Sequence, residues 1–372
     1  MKKIPALLLL FTLALGCKKN KSTGSDNLPT GWSQLGTSLG LSYTNKAVWA
    51  IAIDKSDNVV ICQDYDPANK WTPLKYDGST WSKMGTLNSS DMWEHLLLQM
   101  DAAGNFYIYL REAAAISNST NLAYIAKYDG SKWSMVGPDN NGSVSTVSSG
   151  IPFCVMPSGT VYASFLRPGT GSVYTNVKWG GSSWDAIPSQ YTAGSQTATT
   201  AMNYGMASDA AGNLYTAGIQ AGIGVISKYN GTAWQSISLP ATGGPYTANK
   251  IIADNSGNLY AVLVNSGSAY SVAKWNGSAW AILGGLNPNS YINTIALGTN
   301  GHLYAAGNFT DGGGKQYIAE WDGSKWGELG GANALKVNGA IVALAVDSRG
   351  YVYAGGEFTN AGGEAYVAVY KP

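Results

Sequence analysis

The sequence predicts an all-β fold made of repeated four-stranded antiparallel units, and three observations predict it. A tryptophan recurs at Trp32, Trp81, Trp133, Trp184, Trp234, Trp280 and Trp326, with gaps of 49, 52, 51, 50, 46 and 46 residues. Six of them follow a tight-turn signature: Lys75-Tyr76-Asp77-Gly78, Lys127-Tyr128-Asp129-Gly130, Lys178-Trp179-Gly180-Gly181, Lys228-Tyr229-Asn230-Gly231, Lys274-Trp275-Asn276-Gly277 and Glu320-Trp321-Asp322-Gly323. The 372 residues hold 47 Gly, 23 Tyr and 13 Trp without long amphipathic helical patterns, a balance that favours strands and turns.

From the amino terminus, Lys2 and Lys3 precede an apolar run from Ile4 to Leu15 and then Gly16 and Cys17. This is the layout of a secretory signal, and the run is too short for a membrane-spanning helix. Leu13-Ala14-Leu15-Gly16-Cys17 resembles a bacterial lipoprotein box with Ala14 and Leu15 in reversed order, which implies lipidation of Cys17; the alternative is an ordinary signal peptidase that reads Ala14-x-Gly16 and cuts at the same bond. Residues 1–16 are expected to be removed and residues 17–30 to form a polar tether, with 31–372 as the folded body. Lys18 follows the lipid-bearing cysteine, so the expected location is the cell envelope, at the outer membrane of a Gram-negative bacterium. A monomer touching the membrane only through its lipid is expected.

Within each unit, Asp-Gly and Asn-Gly supply the positive φ of a tight hairpin whose returning strand carries the Trp. A second hairpin lies upstream, at Asp101-Ala-Ala-Gly104-Asn105, Asp209-Ala-Ala-Gly212-Asn213, Asp254-Asn-Ser-Gly257-Asn258 and, more loosely, Asp347-Ser-Arg-Gly350. Apolar strands precede it (Ile51 to Ile53, Ile251 to Ala253, Ile295 to Leu297, Ile341 to Val346), and strands marked by Tyr107, Tyr162, Tyr215, Tyr260, Tyr304 and Tyr353 follow. The first two strands lack alternation, as expected for strands covered on both faces. Four strands per period of about fifty residues indicate a β-propeller. The last unit has strands at Ile341 to Val346, Val352 to Gly356 and Tyr366 to Tyr370 but no Trp strand, whereas Gly31-Trp32-Ser33-Gln34-Leu35-Gly36 is an orphan fourth strand. The amino-terminal strand is therefore expected to complete blade seven and close the ring.

Gly355-Gly356-Glu-Phe358-Thr359 through Tyr370, and Gly307-Asn-Phe309-Thr310 through Trp321 and Trp326, resemble degenerate kelch-type repeats. That resemblance supports a propeller. It does not bring the copper site of galactose oxidase, which needs two His and a Tyr crosslinked to Cys.

A propeller has one face of short strand one–two and three–four turns, called here the turn face, and a loop face of strand two–three loops and blade crossovers. The loops are long around blades one to three: 63–74, 111–122, 137–150, 167–176 and 188–203. Function in repeat folds concentrates on such loops. Tyr65, Trp71, Trp93, Arg111, Arg167, Tyr174 and Tyr191 are the candidate binding residues, with Glu112 and Tyr204 beside them. Aromatic platforms next to charged groups suit a glycan or an envelope protein. Packing over the adjacent blade is the competing role, and for the seven repeat Trp it is the expected one.

Other classes fail on inventory. Net charge is +1 and no Lys/Arg cluster follows the tether, which argues against nucleic acid. Two His preclude a His-rich zinc site, and the Asp-x-x-Gly-Asn turns lack the alternating oxygens of a calcium loop, so no metal or other cofactor is expected. The Asp-Gly-Ser-x-Trp turns are one residue shorter than sialidase Asp-boxes. Glu94 with His95, or Asp64 with Asp66, are the candidate acid/base groups of an alternative reading, a polysaccharide lyase or glycoside hydrolase. A purely structural envelope component is the third reading. Cys62 and Cys154 fall two blades apart in apolar runs and are expected to be free buried thiols.

Overall fold

The computed structural model describes residues 28–37, 39, 47–63, 72–87, 92–94, 97–112, 122–137, 152–166, 172–188, 200–220, 222–240 and 246–372. It is all-β apart from one 3-10 turn at Gly331–Asn333, with seven four-stranded antiparallel blades around a central axis. Blade five shows the pattern: Tyr246–Ala253, Leu259–Asn265, Tyr270–Trp275 and Trp280–Ile282 pair in chain order from the axis outward. The inner strands of the other blades are Val48–Ile53, Met92–Glu94 with Leu98–Met100, Phe153–Val155, Thr200–Ser208, Ile292–Leu297 and Ile341–Val346. Each packs against the next, closing the ring. Second strands such as Val59–Gln63, Leu303–Gly307 and Val352–Gly356 are buried at every position, because a neighbouring blade covers each face.

Blade seven is built from both chain ends. Gly31–Gln34 pairs antiparallel with Ala368–Lys371, Trp32 opposite Tyr370. The third strand begins at Ala368 rather than Tyr366, because Tyr366 instead packs edge-on against Phe358, ring centroids 5.0 Å apart. Gly356 ends the second strand where a Cβ would lie 2.0 Å from the Ala340 carbonyl oxygen. Close backbone approach is thus the reason for glycine there.

All seven repeat tryptophans are structural. Each stands opposite an aromatic residue of the third strand, with ring centroids from 4.9 Å (Tyr229–Trp234) to 5.7 Å (Trp275–Trp280). Four indoles also donate Nε1–H to the outer strand region of the preceding blade: Trp32 to the Leu329 carbonyl at 3.0 Å, Trp326 to Leu283 at 2.8 Å, Trp133 to Met84 and Trp234 to Pro188. One side chain thereby joins hairpin to hairpin and blade to blade.

On the turn face the inner-hairpin aspartates cap their own turns. Asp209 Oδ1 accepts from the Asn213 amide at 2.9 Å, while Oδ2 accepts from Asn213 Nδ2 at 2.7 Å and the Tyr215 hydroxyl at 2.9 Å. Asp101 does the same with Asn105 and Tyr107, and Asp347 receives Tyr351, Tyr353 and Arg349. Lys127, Lys228 and Lys274 of the third strands lie over the rings of Tyr107, Tyr215 and Tyr260 at 5.6, 5.7 and 5.3 Å. Blade six inverts this arrangement: Gly298 stands in place of Asp, Glu320 in place of Lys, and His302 Nδ1 lies 2.8 Å from Glu320 Oε1. Adjacent turns also join, through Lys55 to the Ala102 carbonyl, Ala102 N–H to Pro157 O at 3.0 Å, and Ser348 Oγ to Asp57 Oδ2 at 2.7 Å. Cys62 and Cys154 are free and buried, and burial pushes the Cys154 thiol up to about 12.

Burial alone would raise the Asp101 and Asp209 carboxyls, but the hydrogen bonds from Asn105 and Tyr107, and from Asn213 and Tyr215, outweigh it and hold both below 3.8. In the outer turns Asp129 and Asp322 sit at about 2, chiefly through the amides of Lys132 and Lys325. A depressed folded pKa means the unfolded chain binds more protons in this range. The stabilisation is therefore complete above 3.8 and is lost as pH falls through the folded values, toward about 2. Denaturation midpoints measured from pH 5 down to pH 2 should fall in that window, as ordinary carboxyl titration dictates, and Asp209→Asn should flatten the fall. Trp32→Ala, which removes the indole from the closing strand, should cost about 2–4 kcal/mol in urea unfolding.

Candidate functional site

The sequence-predicted residues belong to the loops and strand ends of the loop face. Of the sequence-predicted residues, Trp93 and Glu94 lie on Met92–Glu94 at the loop-face end of blade two's inner strand, and the register sets Glu94 opposite Arg111. Glu112 pairs with Met92, and Tyr174 pairs with Leu166 at the same end of blade three. The backbone thus brings Glu94 and Arg111 together and leaves Tyr174 one blade away. Cys17, Asp64, Tyr65, Asp66, Trp71, His95, Arg167 and Tyr191 lie outside the described residues. His302 is on the turn face, bonded to Glu320. Among the described residues no three His, Cys, Asp or Glu side chains gather as a metal site.

Two features escape sequence reasoning. The first is a bulge at the loop-face end of the inner strands, where pairing shifts between Val48 and Ala50, Met92 and Glu94, Asn203 and Gly205, Ala248 and Lys250, Ile292 and Thr294, and Ile341 and Ala343. The extra residues are Trp49, Trp93, Tyr204, Asn249, Asn293 and Val342; the inner strands of blades one, five and six start at Val48, Tyr246 and Ile292, earlier than expected, whereas that of blade seven spans Ile341–Val346 as expected. A bulge leaves one residue out of the ladder and re-aims it. Here the six stand at equivalent backbone positions on the inner strands.

The second is where large apolar side chains meet solvent. Among the described residues Tyr204, Ile223, Ile282 and Tyr291 are 39%, 68%, 37% and 59% exposed; Tyr204, Ile223 and Tyr291 stand at the loop face, and Ile282 on the outer strand of blade five. Tyr291 packs edge-on against Tyr270, which opens the third strand of blade five, at 5.3 Å. Among the described residues these exposed groups belong to blades four to six, not to the blades one to three that carry the long loops. Tyr204 could be found from its place before an inner strand. Ile223 and Tyr291 carry no sequence signal.

Around this patch the scaffold is fixed. Asn203 Nδ2 donates to Ser164 Oγ and Asn176 Oδ1, both at 2.8 Å, within a buried polar cluster between blades three and four. Beside it Ser172–Trp179 and Thr200–Ser208 pair in parallel through Ser172–Thr200 and Val173–Ala201, fusing the two blades into one eight-stranded sheet. In blades six and seven the crossovers are clasped: Asn289 Oδ1 accepts from the Thr310 amide and Asn338 Oδ1 from the Thr359 amide, each at 2.9 Å. Lys336 bridges Asp311 at 2.8 Å and Glu328 at 2.5 Å, and its hydrogen bond leads the causes that hold Asp311 at about 2.

No family model matches the chain, and no curated protein matches it. Solved structures do. A catalytically inactive virginiamycin B lyase from Staphylococcus aureus with quinupristin is similar at a TM-score of 0.59 and 11% identity, covering 92% of this chain and 100% of that one. YCF48 from Cyanidioschyzon merolae is similar at a TM-score of 0.57 and 14% identity, covering 92% and 99%. YCF48 bound to D1 peptide gives 0.53 and 14%, covering 93% and 98%. At such identities the likeness concerns the fold, a seven-bladed propeller.

Asn203→Ala removes both bonds and leaves buried Ser164 and Asn176 short of a partner. Its expected cost is about 1–3 kcal/mol in chemical denaturation, against no measurable change for Ser236→Ala on the rim.

Proposed function

We propose that this chain is an exported binding propeller, tethered through Cys17 at the cell envelope, whose loop face captures a segment of another protein. The observation that carries this reading is that, among the described residues, three of the four exposed large apolar side chains, Tyr204, Ile223 and Tyr291, stand on that face. Exposed aromatic and aliphatic groups with amides between them, such as Asn249 and Asn293, offer apolar anchoring and backbone hydrogen bonding together. A glycan bound by stacking would need ring faces and has less use for Ile223. The similarity to YCF48 bound to D1 peptide supports a peptide partner. Tyr65, Trp71, Trp93, Arg111, Arg167, Tyr174 and Tyr191 are the residues the sequence offers for extending this reading to blades one to three.

The test is crosslinking and mass spectrometry of partners captured from an envelope fraction, with the wild type and two loop-face variants. Tyr204→Ala/Ile223→Ser/Tyr291→Ala should weaken capture about tenfold or more, as for anchors worth 1–2 kcal/mol in sum, with an unchanged melting temperature. Loss confined to Trp71→Ala/Trp93→Ala would move the site to blades one to three. Unchanged capture by both variants would reject the loop face. Cys17→Ser should release the protein from the membrane fraction. The lyase alternative rests on Glu94 opposite Arg111, with His95 next in sequence. Turnover of a glycan panel that His95→Ala abolishes would put catalysis in place of capture.

A further inference from the structure

Three of the seven junctions depart from a shared left-handed glycine, at Pro188, Ser238 and Gly284, and a groove lies at Ser238. Four fourth strands are followed by a left-handed glycine four residues after the tryptophan: Gly36, Gly85, Gly137 and Gly330, with φ of 66°, 68°, 124° and 93°. The next blade's indole packs onto it. A Cβ on Gly137 would lie 2.8 Å from Trp184 Nε1, and one on Gly330 3.1 Å from Trp32 Nε1. In blade four this position is Ser238, followed by Leu239 and Pro240, and the outer strand Trp234–Ile237 runs four residues where its counterparts in blades five and six run three. Leu239 turns inward onto the core shared by blades four and five. Trp280 Nε1 is buried without a protein acceptor, whereas one blade on Trp326 donates to Leu283 O at 2.8 Å.

The space left beside Trp280 is an open groove of about 460 Å³ on the outer rim. Trp275 and Trp280 form one wall, their rings 5.7 Å apart and tilted by 47°. Gln235, Ser236, Ser238 and Ser278 supply the polar groups, and no charged side chain lines it. Ser278 Oγ already donates to Asn276 Oδ1 at 2.9 Å, so toward a ligand it is an acceptor. Indole faces beside uncharged donors and acceptors match a sugar ring, whose C–H face is apolar and whose edge carries hydroxyls. The volume falls in the range of small-molecule sites, about 300–1,000 Å³. An anionic ligand would find no counter-charge, and a proline-rich segment would leave the serines and the glutamine amide unused.

We propose that this groove binds a neutral saccharide unit, independently of the loop face. The experiment is a titration of the indole N–H signals of 15N-tryptophan-labelled protein with glucose, galactose, N-acetylglucosamine and lactose. Galacturonate and a proline-rich peptide are the contrasting arms. At least one neutral sugar should shift Trp275 and Trp280 saturably, with a Kd on the order of 1 mM for so small a ligand. Ser236→Trp and Ser238→Trp, both at exposed rim positions, should fill the groove and abolish the shifts without lowering the melting temperature. Tyr204→Ala should leave them intact, which separates this site from the loop face. No shift by any neutral sugar, preferential shifts by galacturonate or the peptide, or shifts that survive both groove-filling variants would overturn the proposal.

Discussion

The indole of the fourth strand holds this ring together. It stacks on the third-strand aromatic across the hairpin, and at four junctions its N–H reaches the carbonyl of the blade before. A propeller blade cannot bury its own faces, so its stability comes from its neighbours. One large amphipathic side chain per blade, apolar across its ring and polar at one atom, meets both the packing and the hydrogen-bonding need of that junction. Trp32 is the critical copy, because its strand comes from the opposite end of the chain and converts a row of blades into a ring without edges. The clusters that bind blade six to seven and seven to one form around it and its neighbour Leu35.

The two faces divide the work because of how their polar groups are satisfied. On the turn face a single aspartate can receive two backbone amides, an asparagine amide and a tyrosine hydroxyl, leaving no unused capacity for a ligand. Blade six shows that the demand is electrostatic rather than specific to aspartate. There the carboxylate moves to the third strand as Glu320, the turn contributes His302, and a close polar contact between hairpins survives. The loop face has capped turns of its own at Asn265, Asp311 and Asn360, but it also carries bulges and crossovers, whose residues can present side chains that the ring does not need.

The legible part of this fold is the part set by local chemistry. Asp-Gly and Asn-Gly turns dictate hairpins wherever they occur, and a Trp repeated seven times with variable surroundings can only be structural. The orphan strand at Gly31 was readable because its motif had no other place to go. What sequence could not show depends on distant neighbours. The inner-strand bulges, the parallel pairing that fuses blades three and four, and the buried contact of Asn203 with Ser164 and Asn176 all arise from residues that meet only after the ring forms. The same holds for the candidate site. Glu94 and Arg111 fall into register as neighbours, but nothing local announces that Ile223 and Tyr291 remain uncovered. Exposure is a property of what packs nearby, and an isoleucine reads the same in a core as on a surface.

Repetition also makes departures informative. Seven copies of one junction amount to an internal control, so a blade that abandons the shared solution reveals what the solution excludes. Where glycine follows the outer strand, the next indole seats directly on backbone. Where Ser238-Leu239-Pro240 follows, the chain sends Leu239 into the core, and the indole pair of blade five faces an uncharged hollow. Trp81 is the instructive comparison. Its Nε1 is likewise buried without an acceptor, yet Gly36 sits against it, with room for a Cβ only 3.3 Å away. An unpaired indole alone therefore does not open a groove. Nor does loss of the glycine alone, since Pro188 holds that position after blade three and its carbonyl still receives the Trp234 indole at 2.6 Å; the groove lies where the two coincide, beside Trp275 and Trp280, the widest of the seven hairpin aromatic pairs.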